Sequence, residues 1–143
     1  MRVDLAQINR ETIAKFRAGE DPDGMRRDRL LLLTTTGRRS GRPHTTPMMF
    51  HRDGDRLLVI ASSMGAPSHP DWYSNLIERP HVVVEVGEET YDAHAAPLEG
   101  AEREQIWAML KQTYPWFADH EKKTERVIPV VALTRADSSL RSE

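Results

Sequence analysis

At 143 residues without a cysteine, the chain has room for one domain with a substantial core, and disulfides, thiolate metal centres and a cysteine nucleophile are excluded. A formal net charge of -2 rules out the global basic field that drives non-specific nucleic-acid binding. The charge is unevenly spread: Arg26 to Arg42 contains six arginines against the single acid Asp28, while Glu99 to Glu104 and Asp119 to Glu125 are acid-rich. A local basic patch in a slightly acidic protein suits a small anionic ligand better than a polymer.

His51, His69, His81, His94 and His120 show no HxxxH or HExxH pattern, so no metal site is expected. No apolar run approaches the roughly 18 residues needed to span a bilayer, and the start lacks a signal-peptide core. A cytoplasmic protein is expected.

Residues 4 to 18 place Leu5, Ile8, Ile13 and Phe16 at helical spacings, with Asp4 as a candidate cap and Gly19 as the stop. This amphipathic helix suits packing on the domain, and is compatible with a membrane surface without requiring one. A polar loop, Glu20 to Gly24, follows. The run Leu30 to Leu33 then passes through three threonines into Gly37-Arg38-Arg39-Ser40-Gly41-Arg42. It reads as a buried strand, from about Arg29 to Thr36, ending in a turn. Gly37 and Gly41 would allow positive φ and close ligand approach, and the arginines are suited to phosphate or carboxylate. The turn is read either as an anion grip or as an ordinary solvated turn.

A second strand is expected from Pro43 to His51, with Pro47 marking an edge or a bulge, and a third from Arg56 to Ser62 after the Asp53-Gly54 turn. Connections this short predict an antiparallel meander of the three. Ser68 is the expected cap of a helix with Pro70 and Asp71 in its first turn and Leu76 and Ile77 on its buried face, stopped at Arg79-Pro80. His81 to Val86 and Glu89 to Pro97 read as a hairpin, and Ala101 to Thr113 as a helix buried through Ile106, Trp107 and Leu110. Tyr114-Pro115-Trp116-Phe117 either caps the core or walls an apolar pocket, and Val127 to Leu133 closes the sheet. The expected fold is α+β and mostly antiparallel β, a small barrel or curled sheet of about six strands with two to three flanking helices. Residues 1–24 form its N-terminal helix and loop, 25–136 the barrel, and 137–143 a loose polar tail.

The segments TTTGRRSGRPHTTP, IASSMGAPSHPDWYSNL, RPHVVVEV, TYPWF and RVIPVVAL resemble the deazaflavin-dependent nitroreductase and quinone reductase family of split β-barrels, over roughly residues 28 to 135. The resemblance implies coenzyme F420, an 8-hydroxy-5-deazaflavin, as cofactor. It also implies hydride transfer from the reduced form to a quinone-like or other activated organic acceptor. By the same likeness, Arg38, Arg39, Ser40 and Gly41, followed by His44, match the turn that holds the cofactor's anionic tail. Thr46 and Pro47 lead into Met48 and Met49, which would line the ring. Ser62, Ser63, Met64, Gly65 and Ala66 match the segment contacting ring and phosphate, supported by Trp72 and Tyr73. Tyr114, Trp116 and Phe117 would wall the substrate side, and Tyr114, Ser62 or His120 would donate a proton or hydrogen bond.

The chain departs from the family pattern in two respects. His44 stands where many members carry arginine, and Phe117 and His120 stand where nitroimidazole-activating members carry tyrosines. The second departure argues against activation of nitro prodrugs. The alternatives are an oxidoreductase on the same fold that binds flavin mononucleotide, and a deazaflavin carrier without turnover. The expected partner is a small-molecule acceptor rather than nucleic acid, with the chain acting as a monomer or a homodimer.

Overall fold

Strand β1 (Leu30–Thr36) is buried on both faces, which explains its unbroken leucine run. In the computed structural model, which describes residues 5–136, it pairs antiparallel with β2 (Pro43–Met49) on one side and with β5 (His81–Val86) on the other. The remaining strands are β3 (His51–Asp53), β4 (Arg56–Ile60), β6 (Glu89–Pro97) and β7 (Val130–Arg135), in the sheet order β2-β1-β5-β6-β7-β4-β3.

The helices fill the gaps around this sheet. Leu31, Leu33, Leu57, Val59, Val84 and Leu133 meet inside the curled sheet. Helix α2 (Asp71–Glu78) adds Leu76 to that interior, with Trp72 and Tyr73 packed against it. On the outer face, Leu30 and Leu32 meet Phe16 of α1 (Leu5–Arg17), while Leu58, Val130 and Ala132 meet Trp107, Leu110 and Phe117 of α3 (Gly100–Thr113) and α4 (Trp116–Lys122). Each fully buried leucine contributes about 1.5–3 kcal/mol. Arg17 holds α1 in place with paired hydrogen bonds of 2.9 and 2.7 Å to Glu85, and Arg27 donates to the Phe16 carbonyl while lying 4.3 Å over its ring.

The expected curled antiparallel sheet is present, with seven strands and four α-helices among the described residues. The predicted meander is not. The stretch expected as one strand from Pro43 to His51 is two strands, which lie at opposite edges of the sheet with only Phe50 between them. Chain continuity across this one residue brings the two edges together at a corner. Beyond it β2 stays with β1 and β4 with β7, so the edges diverge and the barrel is split. Pro47 does lie on an edge strand, where its missing N–H is tolerated.

Smaller expectations are also corrected. Pro70, not Ser68, occupies the cap position of α2, since its fixed φ of -66° already suits helix entry. Ile77 is exposed and Asn75 takes its place on the buried face. Helix α4 follows Pro115 and was unforeseen, because its seven residues are too few to show a clear helical period. The last strand begins at Val130, leaving Val127 exposed. Asp4, the proposed cap of α1, and the tail from residue 137 lie outside the described residues.

Glu121 joins α4 to α3, accepting from Trp107 Nε1 at 2.6 Å and from Lys111 Nζ at 2.9 Å. The Trp107 hydrogen bond, then Lys111, holds this carboxyl below its usual value of 4.5 despite partial burial. Ionised Glu121 therefore adds stability above that value, which is lost as pH falls through the lower folded value. Glu121→Leu should cost about 1–3 kcal/mol at neutral pH by orphaning a buried donor. In urea melts its deficit should shrink below pH 4.5; a deficit independent of pH would contradict this account.

Candidate active site

The turn after β1 closes on itself through Gly37 N–H to the Arg42 carbonyl at 2.8 Å and Gly41 N–H to the Gly37 carbonyl at 2.9 Å. Gly41 needs its freedom, with φ at +72°, whereas Gly37 does not take positive φ as expected. Space decides Gly37: a Cβ there would stand 2.5 Å from Ser40 Oγ and 2.9 Å from His44 Nε2. Arg38 is tied down by Asn75 Oδ1, which accepts from its Nη1 at 2.8 Å and from its backbone N–H at 3.1 Å. Arg39 is exposed on the same turn.

Three clefts follow β2 and β3 in succession. The first, about 830 Å³, is lined by the arginine turn, His44 and Thr46, Trp72 and Asn75 of α2, and Asn9 of α1. The second, about 370 Å³, shares Asn9 and continues past Leu30, Pro47, Met48 and Met49. The third, about 540 Å³, shares Arg29 with the second and holds Phe50, His51, Arg52, Tyr114 and Trp116. A basic cleft and an apolar cleft therefore lie along the β2 edge, and the aromatic cleft lies past Phe50, at β3. Seven residues of β2 extend about 23 Å.

Ser62 to Ala66 occupy a different place, on the loop after β4 across the split from β2. Ser63 and Met64 both take positive φ, at 47° and 56°, and Met64 is exposed. Two devices hold this strained loop. Ser62 Oγ lies 3.1 Å from His120 Nδ1 on α4, and Arg126 donates to the carbonyls of Ala61, Ser62 and Ala66 at 2.7–3.0 Å. Burial, then Lys123, pushes the His120 pKa down. Burial, then Arg126, does the same to His69, which keeps His69 Nδ1 an acceptor for Arg126 at 2.9 Å. Tyr73 stacks obliquely on His69 at 4.8 Å, with burial raising its phenol pKa.

The structure thus gathers Arg38, Arg39, Ser40, His44, Thr46 and Trp72 at one cleft, Pro47, Met48 and Met49 at the next, and Tyr114 and Trp116 at the third. Phe117 is not on that wall, because its ring is buried against Trp107 in the core. Three residues that organise the site escaped sequence reading. Asn75 had a signal, a polar residue on the inward face of a short helix. Arg126 and His51 had none, since the partners of these side chains lie 57 or more positions away.

Gly65 sits at φ +82°, and a Cβ there would come within 2.8 Å of the His120 carbonyl and Lys123 Cβ. Gly65→Ala should therefore lower the melting temperature and free the loop, by roughly 1–3 kcal/mol. Limited proteolysis at Ser63–Met64 reports it, and unchanged cleavage would show that the loop does not depend on this contact.

Comparison with known proteins supplies the family. The model of the F420H(2)-dependent quinone reductase family matches residues 8–135. The F420H(2)-dependent quinone reductase Rv1261c of Mycobacterium tuberculosis (strain ATCC 25618 / H37Rv) is 36% identical over 108 residues, 73% of this chain and 72% of the relative. The solved F420-H2 dependent reductase FDR-A superposes with a TM-score of 0.66 at 38% identity, over 73% of this chain and 93% of that one. A structure described as a domain-swapped dimer gives 0.70 at 33%, over 91% and 97%. From this match across nearly its whole described length, the chain belongs to the F420H(2)-dependent quinone reductase family.

Proposed function

We propose that this chain binds coenzyme F420 along the β2 groove and reduces a quinone-like acceptor at the groove's aromatic end. The observation that carries the placement is the order of chemistries from the arginine turn along β2 and past Phe50 to β3. The basic end suits the cofactor's phosphodiester and glutamate tail, the methionine-lined middle suits a flat ring, and the Tyr114–Trp116 wall suits an apolar acceptor. Bound there, the reduced deazaflavin supplies a hydride from C5, an obligate two-electron donation.

The protein's work is positioning and exclusion of water. Arg38 and Arg39 give charge-assisted hydrogen bonds to the tail, with Ser40, Gly41 and His44 completing the turn. Asn75 fixes the direction of Arg38 before any ligand arrives. The β2 backbone from Thr46 to Met49 would form one side of the ring slot, with the Met49 side chain on the outer face beside α1 and Met48 on the inner face. Ser62 to Ala66 approach from the opposite lip of the split, and Trp72 and Tyr73 brace the α2 end. Of the three candidate proton donors, Tyr114 lines an open cleft, while Ser62 is nearly buried and engaged with His120. Tyr114 is therefore the donor this reading favours.

Two experiments test it. Anaerobic mixing with reduced F420 and menadione should give turnover; none across several quinones would remove the assignment. Arg38→Ala with Arg39→Ala should weaken F420 affinity by about 1.5–3 kcal/mol for each charged hydrogen bond lost. Unchanged affinity would return the turn to a solvated scaffold. The domain-swapped relative supports a homodimer as the assembly, for which light scattering should give twice the chain mass of 16.3 kDa.

A further inference from the structure

We infer that His51 and Tyr114 form a proton-delivery pair for the acceptor, with Tyr114 donating and His51 resupplying it; the inference rests on the quinone-reductase reading above. His51 enters the chain at the corner where β2 gives way to β3, and Tyr114 at the end of α3. Their polar atoms, His51 Nδ1 and Tyr114 Oη, are 2.8 Å apart, with the rings edge to face at 5.7 Å. Sixty-three positions separate them in the chain, so this contact exists only because the barrel closes at Phe50.

The pair sits where the acceptor would react. Tyr114 packs on the same cluster as Met49, which places the phenol beside the end of the apolar slot. Both residues line the third cleft, and both are half-buried, within reach of water and shielded from bulk solvent. Trp116, 5.4 Å from the Tyr114 ring, supplies a flat apolar wall. The charged groups facing the pair are Asp28 and Arg29 from the segment before β1 and Arg52 from β3. They amount to two cations and one anion, a field that favours a developing negative charge on an acceptor oxygen.

The balance of the reaction calls for such a pair. Reduction of a quinone to its hydroquinone consumes one hydride, which carries both electrons, and one proton. Reduced F420, on the proposed reading, provides the hydride. For the proton, the Tyr114 O–H bond breaks as a bond to the quinone oxygen forms. As the His51 Nδ1–H bond breaks to restore the phenol, Nε2 takes a proton from a solvent water, so the ring stays neutral, the hydroxide leaves to the buffer, and tautomer exchange through solvent returns the proton to Nδ1. A phenol alone would have to be recharged directly by water in a partly closed cleft. His51 is the positioning and resupply residue, and Tyr114 the one that touches substrate.

The test compares wild type, His51→Ala, His51→Gln and Tyr114→Phe with reduced F420 and menadione. The expected result for His51→Ala is a kcat lower by about tenfold or more, on the scale of general acid catalysis. Cofactor affinity should be unchanged, the solvent deuterium isotope effect larger, and activity restored by imidazole in the buffer. His51→Gln, which can still hydrogen-bond the phenol but cannot relay a proton, should be equally slow. A wild-type rate in His51→Gln, or an Ala deficit that imidazole does not relieve with an unaltered isotope effect, would overturn the inference. A readout independent of turnover is available in protein labelled with nitrogen-15 histidine. There Tyr114→Phe should move the Nδ1 resonance of His51 and leave the other histidines in place; an unmoved resonance would also overturn it. If wild type itself fails to turn over, the quinone-reductase reading fails, which is a separate result.

Discussion

Burial of β1 on both faces is the constraint from which the rest of the molecule follows. Leu31 and Leu33 point into the curled sheet and Leu30 and Leu32 point out, so a single sheet cannot satisfy the strand. The inner pair requires strands on every side, which closes the barrel; the outer pair requires α1, anchored by Arg17 and Arg27. Once α1 is placed, it lies along β2, the strand next to β1. Being an edge strand, β2 has no neighbour beyond it, and Pro47 removes one of the donors a further strand would need. The groove between α1 and β2 is thus a consequence of how β1 is buried rather than a feature added to a finished fold.

Polar groups then make that groove selective. Each critical residue is held by a partner that has no need to touch the ligand: Arg38 by Asn75, the Ser62 to Ala66 loop by Arg126 and His120, and Tyr114 by His51. Hydrogen bonds of this kind restrict a side chain before binding, so less conformational freedom is lost when the ligand arrives. Arg39 is left exposed at the mouth, where on the proposed reading its charge would steer the cofactor's anionic tail, while Arg38 is held in the turn by Asn75. The family's chemistry asks little of the protein beyond such placement, because the cofactor carries the electrons.

How much of this was legible in the sequence depended on the range of the interaction. Local periodicity revealed β1, the hairpin of β5 and β6, the core of α3 and the glycine-bracketed turn. Pro47 correctly marked an edge. The division of residues 43–51 between two edges was not legible, because nothing in Phe50 itself distinguishes a barrel corner from the middle of a strand. Helix α4 was hidden by its length, and Phe117, which the resemblance set on the substrate-side wall, packs on Trp107, ten positions earlier and on another helix. The candidate site followed the same rule. Its basic end was contiguous and readable, and its methionines sat in the same motif, whereas the contacts made by His51 and Arg126 depend on tertiary closure. Family resemblance placed Ser62 to Ala66 with the rest of the site. The structure anchors that loop to α4, and none of its residues lines the three clefts.

The central claim is the path of the cofactor along β2. Hydrogen–deuterium exchange of the protein with and without F420, under conditions where fluorescence shows the cofactor bound, tests it most directly. The account predicts slowed exchange at Gly37 to Gly41 and along the outward-facing amides of β2. Bound cofactor with unchanged exchange over Gly37 to Met49 would contradict it, and would move the site away from the arginine turn altogether.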